Sequence, residues 1–117
     1  MLTHVDGQPL PANIIDITAQ DGTTYQFKAV RGTLRFFAGG TFRSDLVVLN
    51  VWNGVPADTL GNIAVSGVFE TQGDTAVVVR FGGTNRRTYQ VLERGDVLRG
   101  VQGIQGAFLA TYAYRRN

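Results

Sequence analysis

The sequence predicts an all-β fold: an antiparallel up-and-down β-barrel of about eight strands with little or no helix. Three observations carry that reading. Short runs rich in Val, Ile, Thr, Phe and Tyr alternate between two faces with a period of two. Turn signals centred on glycine, which supplies 15 of the 117 residues, separate those runs at short intervals. No window of a dozen residues keeps a helical period without a glycine interruption. Closure into a barrel is preferred because a meander of this many strands otherwise leaves two exposed edges.

The elements follow in chain order within a single barrel domain, 1–117. Residues 1–12 form an N-terminal lead-in. Strands are predicted at 13–18, 23–30, 33–38, 41–50, 63–71, 74–81, 86–93, 97–102 and 107–115. Asp21-Gly22, Arg31-Gly32, Gly39-Gly40, Gln72-Gly73-Asp74, Gly82-Gly83-Thr84-Asn85 and Arg94-Gly95-Asp96 supply the reversals. Phe42, Ser44, Leu46 and Val48 share one face of their strand, as do Ile63, Val65, Gly67 and Phe69, and Thr75, Val77, Val79 and Phe81. The longest connection is 51–62, a mid-chain loop holding Trp52, Asn53-Gly54, Pro56 and Asp58, and long loops often carry function. Residues 100–106 repeat Gly-x-Gln and read as a glycine-rich bend before the last strand.

Several of these segments carry a family likeness. Val65 to Val79, with Gly67-Val68-Phe69, Gly73-Asp74 and the alternating valines, resembles a hairpin of small bacterial lipocalin-like proteins, a calycin-type group. Arg87-Thr88-Tyr89-Gln90-Val91 with Asp96-Val97-Leu98 looks like their next strand pair, and Phe108 to Arg116 like their closing strand. Asp6-Gly7-Gln8-Pro9-Leu10-Pro11 resembles the opening of exported members, and Gly32 to Phe36 with Gly39 to Phe42 their first long hairpin. The Gly-x-Trp signature of lipocalins is missing, since the only tryptophan is Trp52. The resemblance implies a small barrel that holds an apolar small molecule. It also implies a periplasmic or secreted location, if a signal peptide precedes the sequence given.

Composition removes most chemistry. Without cysteine there are no disulfides, thiol nucleophiles or thiolate metal sites, and one histidine excludes a multi-histidine centre. Neither Gly-x-x-x-x-Gly-Lys-Ser/Thr nor Gly-x-Gly-x-x-Gly is present, and Ser44 and Ser66 lack the nucleophile elbow. No catalytic residue, metal or cofactor is assigned. Asp16 and Asp45 sit inside apolar runs, where burial would raise a carboxyl pKa; the competing reading puts both on the solvent face. Arg94-Gly95-Asp96 spells an adhesion tripeptide and reads as a hairpin turn. No window is long and apolar enough for a membrane-spanning helix.

Aromatic residues are the most useful signal for a site. Tyr25, Phe27, Phe36, Phe42, Trp52, Phe69, Tyr89 and Phe108 are the candidate ligand-binding residues, with Trp52 as a lid or a loop anchor. Gly67 and Ala29, placed on inner faces, leave room for a cavity, although a barrel of this size is also filled by its own side chains. The leading functional reading is therefore non-enzymatic binding of an apolar or aromatic small molecule.

Two alternatives remain. A solid-core interaction domain, open to self-association, follows from apolar residues on both faces at 46–49 and 77–79. A binder of single-stranded nucleic acid or another polyanion follows from charge placement. Residues 1–79 carry four basic and seven acidic side chains, net −3, whereas residues 80–117 carry seven and two, net +5. The overall +2 is far from the balance of a dedicated nucleic-acid binder.

Overall fold

The computed structural model describes the backbone of residues 1–104 and 107–116, and all their side chains except those at 104, 107 and 108. Among these residues the chain forms eleven strands: β1 (Leu2–Val5), β2 (Gln8–Pro9), β3 (Ala12–Thr18), β4 (Thr24–Phe36), β5 (Thr41–Trp52), β6 (Val55–Pro56), β7 (Gly61–Gln72), β8 (Ala76–Phe81), β9 (Asn85–Leu92), β10 (Val97–Ile104) and β11 (Ala107–Arg115). One 3-10 turn, Glu93–Gly95, joins β9 to β10. All pairings are antiparallel, in one sheet ordered β2-β1-β11-β10-β9-β8-β7-β5-β4-β3, with β6 added beside β5. The sheet curls until β1 packs against β3 and β4, so the fold is an all-β, nearly closed barrel with essentially no helix.

The strand count exceeds the predicted eight because three very short strands, β1, β2 and β6, form around tight turns. The lead-in segment is therefore partly strand. Thr3 Oγ1 donates to the Ala113 carbonyl at 3.1 Å, and the Asp6 and Thr111 amides bind the Thr111 carbonyl and Asp6 Oδ1 at 2.7 and 2.8 Å. These bonds fasten β1 to β11.

Arg31-Gly32 is not a turn. β4 runs through it as one thirteen-residue strand, and a bulge between Ala29 and Arg31 absorbs the extra residue. Glycine is needed at position 32 for a close approach, since a Cβ there would come within 3.1 Å of the Leu2 side chain. β1 thus packs directly onto the β4 backbone. At 51–62, β5 continues through Trp52, turns at Asn53-Gly54 with φ of 49° and 78°, and returns as β6. Residues 100–104 continue β10 as a strand, while 105 and 106 of the expected bend lie outside the described residues.

The predicted alternation fills the interior. Phe42, Ser44, Leu46 and Val48 of β5, Val77 and Val79 of β8, Tyr89 of β9 and Tyr112 and Tyr114 of β11 are all buried. The space left by Gly67 is not cavity. A Cβ there would land on the Arg80 carbonyl oxygen and 3.1 Å from the Phe42 ring, so the missing side chain lets β8 and Phe42 close in. Val78, on the outer face, is only 2% exposed in the single chain. Glu70 sits directly across from it, and Arg80, two residues on, pairs with Glu70 at 2.8 Å.

Two glycine substitutions separate these roles. Gly67→Ala should lower stability by about 1–3 kcal/mol through overpacking. Gly39→Ala, which meets nothing within 4 Å, should stay within about 0.5 kcal/mol of the parent. Urea midpoints of the two variants check the contrast.

Candidate functional site

The middle of the barrel is solid and polar at its heart. Tyr89 and Tyr114 both donate their hydroxyls to the Gln102 carboxamide oxygen, at 2.6 and 2.8 Å, and all three residues are buried. Register explains the meeting. Gly100 lies opposite Tyr89 on one side and Tyr112 on the other, and Gln102 lies opposite Ala110. Position 100 must be glycine, because a Cβ would sit 2.6 Å from the Thr88 carbonyl and 2.8 Å from the Tyr89 ring.

Burial drives the electrostatics of this cluster. It raises the Tyr89 phenol well above its ordinary range, with the neighbouring Tyr114 adding to the effect and Arg87 opposing it. Tyr112 is raised by burial, then by Tyr114, and again opposed by Arg87. Burial also raises Tyr114, against the lowering effect of its Gln102 bond. The Tyr112 hydroxyl is fully buried and has no hydrogen-bond partner.

Above this plug, at the end of the barrel where β4, β7 and β9 finish, lies an open apolar cup of about 440 Å³. Leu34, Phe36, Phe69, Val77, Val91 and Leu98 form its walls, and Tyr114 lies among them. Phe36 and Phe69 meet edge to face with centroids 4.8 Å apart. Met1, Thr71, Gly95, Asp96, Arg115 and Arg116 complete the lining and make its rim more polar, and a 2.8 Å ion pair joins Arg115 to Glu93 nearby. The Arg94-Gly95-Asp96 tripeptide lies in the turn beside this cup, with φ of 58° at Arg94.

The eight aromatic candidates scatter across the molecule. Phe36 and Phe69 line the cup. Phe42 and Tyr89 belong to the central packing, and Phe27 is buried on β4. Tyr25 and Trp52 sit at the opposite end, their rings 4.4 Å apart, with the Tyr25 hydroxyl on Asn50 Oδ1 at 2.6 Å. Trp52 is 57% exposed and does not line the cup. The side chain of Phe108 lies outside the described residues.

The aromatic search missed the aliphatic walls Leu34, Val77, Val91 and Leu98. Alternation already puts Val77 on one face with Val79 and Leu34 on one face with Phe36, and the same period extended to β9 and β10 groups Val91 with Tyr89 and Leu98 with Gln102. Asp16 is exposed, and Asp45 bonds Arg43 at 2.9 Å on the outer face, which holds its carboxyl below the usual range. Among the described residues there is no group of three or more potential metal ligands and no helix long and apolar enough to cross a membrane. No family profile, curated protein or solved structure matches the chain. The barrel agrees with a generic calycin-type architecture, a closed shape consistent with a non-enzymatic binding fold.

Two outcomes follow from the plug. Gln102→Leu should cost about 1–3 kcal/mol for each hydroxyl left without an acceptor, whereas Tyr112→Phe removes an orphaned hydroxyl and should be neutral or slightly stabilising. The buried phenols have folded pKa values above the ordinary 10.0, so the unfolded chain releases these protons first as pH rises. Their stabilisation is complete below about pH 10 and is lost progressively above it. Urea midpoints should therefore fall between about pH 9 and pH 11, with tyrosinate absorbance appearing as the chain unfolds.

Proposed function

We propose that the protein is a non-enzymatic binding module that takes an apolar or aromatic small molecule into the cup at the Phe36–Phe69 end of its barrel. One observation carries the reading: a recess of about 440 Å³ is walled by partly buried aliphatic and aromatic side chains and stays open to solvent. That volume falls in the range of small-molecule sites, about 300–1,000 Å³. The solid plug below it fixes the depth a ligand reaches, so contacts come from the end of the barrel and not from a hollow core. The likeness to small bacterial lipocalin-like proteins supports the same reading. Of the aromatic residues expected to bind, Phe36 and Phe69 keep that role here. Trp52 does not act as a lid over this cup, because it belongs to the other end.

A neutral apolar fluorophore, N-phenyl-1-naphthylamine, tests the proposal. The parent protein should give saturable fluorescence enhancement with one site. Leu98→Trp, which fills the cup, should reduce that affinity at least about tenfold, and Trp52→Phe should leave it unchanged. Absence of saturable enhancement in the parent, or undiminished binding by a folded Leu98→Trp variant, overturns the proposal.

A further inference from the structure

We propose that the barrel has a second binding site, a cleft between β9 and β10 that takes a small carboxylate with an apolar body, and that Arg87 receives the carboxylate. The site begins where the barrel wall parts. The β9–β10 ladder joins only Tyr89–Leu92 to Val97–Gly100. Among the described residues, Asn85 to Thr88 before it pair with β8 alone, and Val101, Gln102 and Ile104 beyond it pair with β11 alone. Gly100 is the last residue of β10 in that ladder, and its backbone approaches the Thr88 carbonyl too closely for any side chain. Past that point the strands leave a cleft of about 560 Å³. Ile63, Val65, Phe81, Val101 and Leu109 give it apolar walls.

Arg87 is the feature that gives this cleft a chemistry. It lies directly across from fully buried Val79, so its side chain shares the inner face of the barrel. Its guanidinium carbon stands 4.7 Å from the centre of the Phe81 ring, and one N–H reaches the Gly103 carbonyl across the cleft at a long 3.5 Å. The remaining N–H donors of the fork take no carboxylate. All nine acidic side chains of the sequence lie among the described residues, and the three ion pairs there belong to Arg43, Arg80 and Arg115.

A partly buried cation without a counter-charge is unfavourable unless something supplies one. The cleft lining adds a second cation, Arg86, and no acid. The unpartnered, fully buried Tyr112 hydroxyl is near enough for the Arg87 charge to act on it. A planar guanidinium matches a carboxylate with two parallel hydrogen bonds, and the apolar walls match a hydrocarbon or aromatic body. An inorganic anion would use the charge and waste the walls. The central plug separates this site from the apolar cup.

Calorimetric titration of the full chain with decanoate, decanol and sodium sulfate tests the assignment. Decanoate should bind at least about tenfold more tightly than decanol, the margin expected of hydrogen bonds to a charged group, and sulfate should not compete at equal concentration. Arg87→Met should remove that preference, Arg87→Lys should keep part of it, and Leu98→Trp in the other recess should leave it intact.

Equal affinity for decanol, an unchanged preference in Arg87→Met, or competition by sulfate or a short oligonucleotide overturns the assignment. Loss of decanoate in Leu98→Trp would place the ligand in the cup and equally overturn it. The carboxyl-¹³C shift of labelled decanoate on the unaltered protein gives an independent answer. Titration of the bound acid below the free acid supports contact with Arg87, and an unshifted titration refutes it.

Discussion

The Gln102 carboxamide oxygen, with two phenolic hydroxyls donated to it, organises the interior. A barrel of about eight principal strands is just wide enough to be filled by side chains or to hold one ligand. Here three adjacent strands, β9, β10 and β11, send Tyr89, Gln102 and Tyr114 to a common point. Burying either hydroxyl without an acceptor would cost free energy, and Gln102 serves both. Phe42, Val79 and Val5 belong to the same buried core. The consequence is a barrel that is blocked at its middle and open towards its ends, so that recesses of different character lie on either side of one plug.

Closure depends on a second constraint, at the seam. No ladder joins the two ends of the strand order, β2 and β3. The seam is held instead by packing of β1 over β4, where Leu2 rests against the bare backbone of Gly32. The Met1 ammonium donates to the Arg115 carbonyl on the opposite side of β1, extending its ladder with β11. The three strands on the far side of the seam are also staggered in length. Thirteen residues of β4 span roughly 43 Å at strand rise, which accounts for a long axis of 50 Å. The Tyr25–Trp52 pair sits on that overhang, away from the plug.

Much of this was legible in the residues, and what was not has a definite cause. Alternation at 42–48 and 63–69 groups the residues that share a face, because one buried face imposes a period of two; the pattern leaves open which face turns inward, and at 77–79 both faces are buried. Gly32 misled, since a glycine demanded by a close approach carries the same letter as one demanded by a turn. The pairing of β1 with β11 is a contact between the two ends of the chain, invisible to any local pattern. The cup was half legible. Phe36 and Phe69 were named for their rings, but its aliphatic walls look in sequence like any other core valine or leucine. Whether the interior was hollow depended on where the Tyr89 and Tyr114 hydroxyls ended, which strand spacing does not encode.

The charge imbalance of the C-terminal half takes on a different meaning once register is known. Its net +5 first reads as a surface for a polyanion. Arg80 and Arg115, however, are matched to Glu70 and Glu93, and Arg99 turns to Gln90 at 3.5 Å. Arg86 and Arg87 both border the cleft, but as consecutive strand residues they leave β9 on opposite sides of the sheet. Arg86 is exposed, whereas Arg87 is the one arginine in β9 sharing the Tyr89 face. A polyanion needs a row of cations along an accessible path, and alternation breaks that row. What alternation leaves instead is one inward guanidinium over an aromatic ring at a gap in the wall, an arrangement that fits a single charged head with an apolar body.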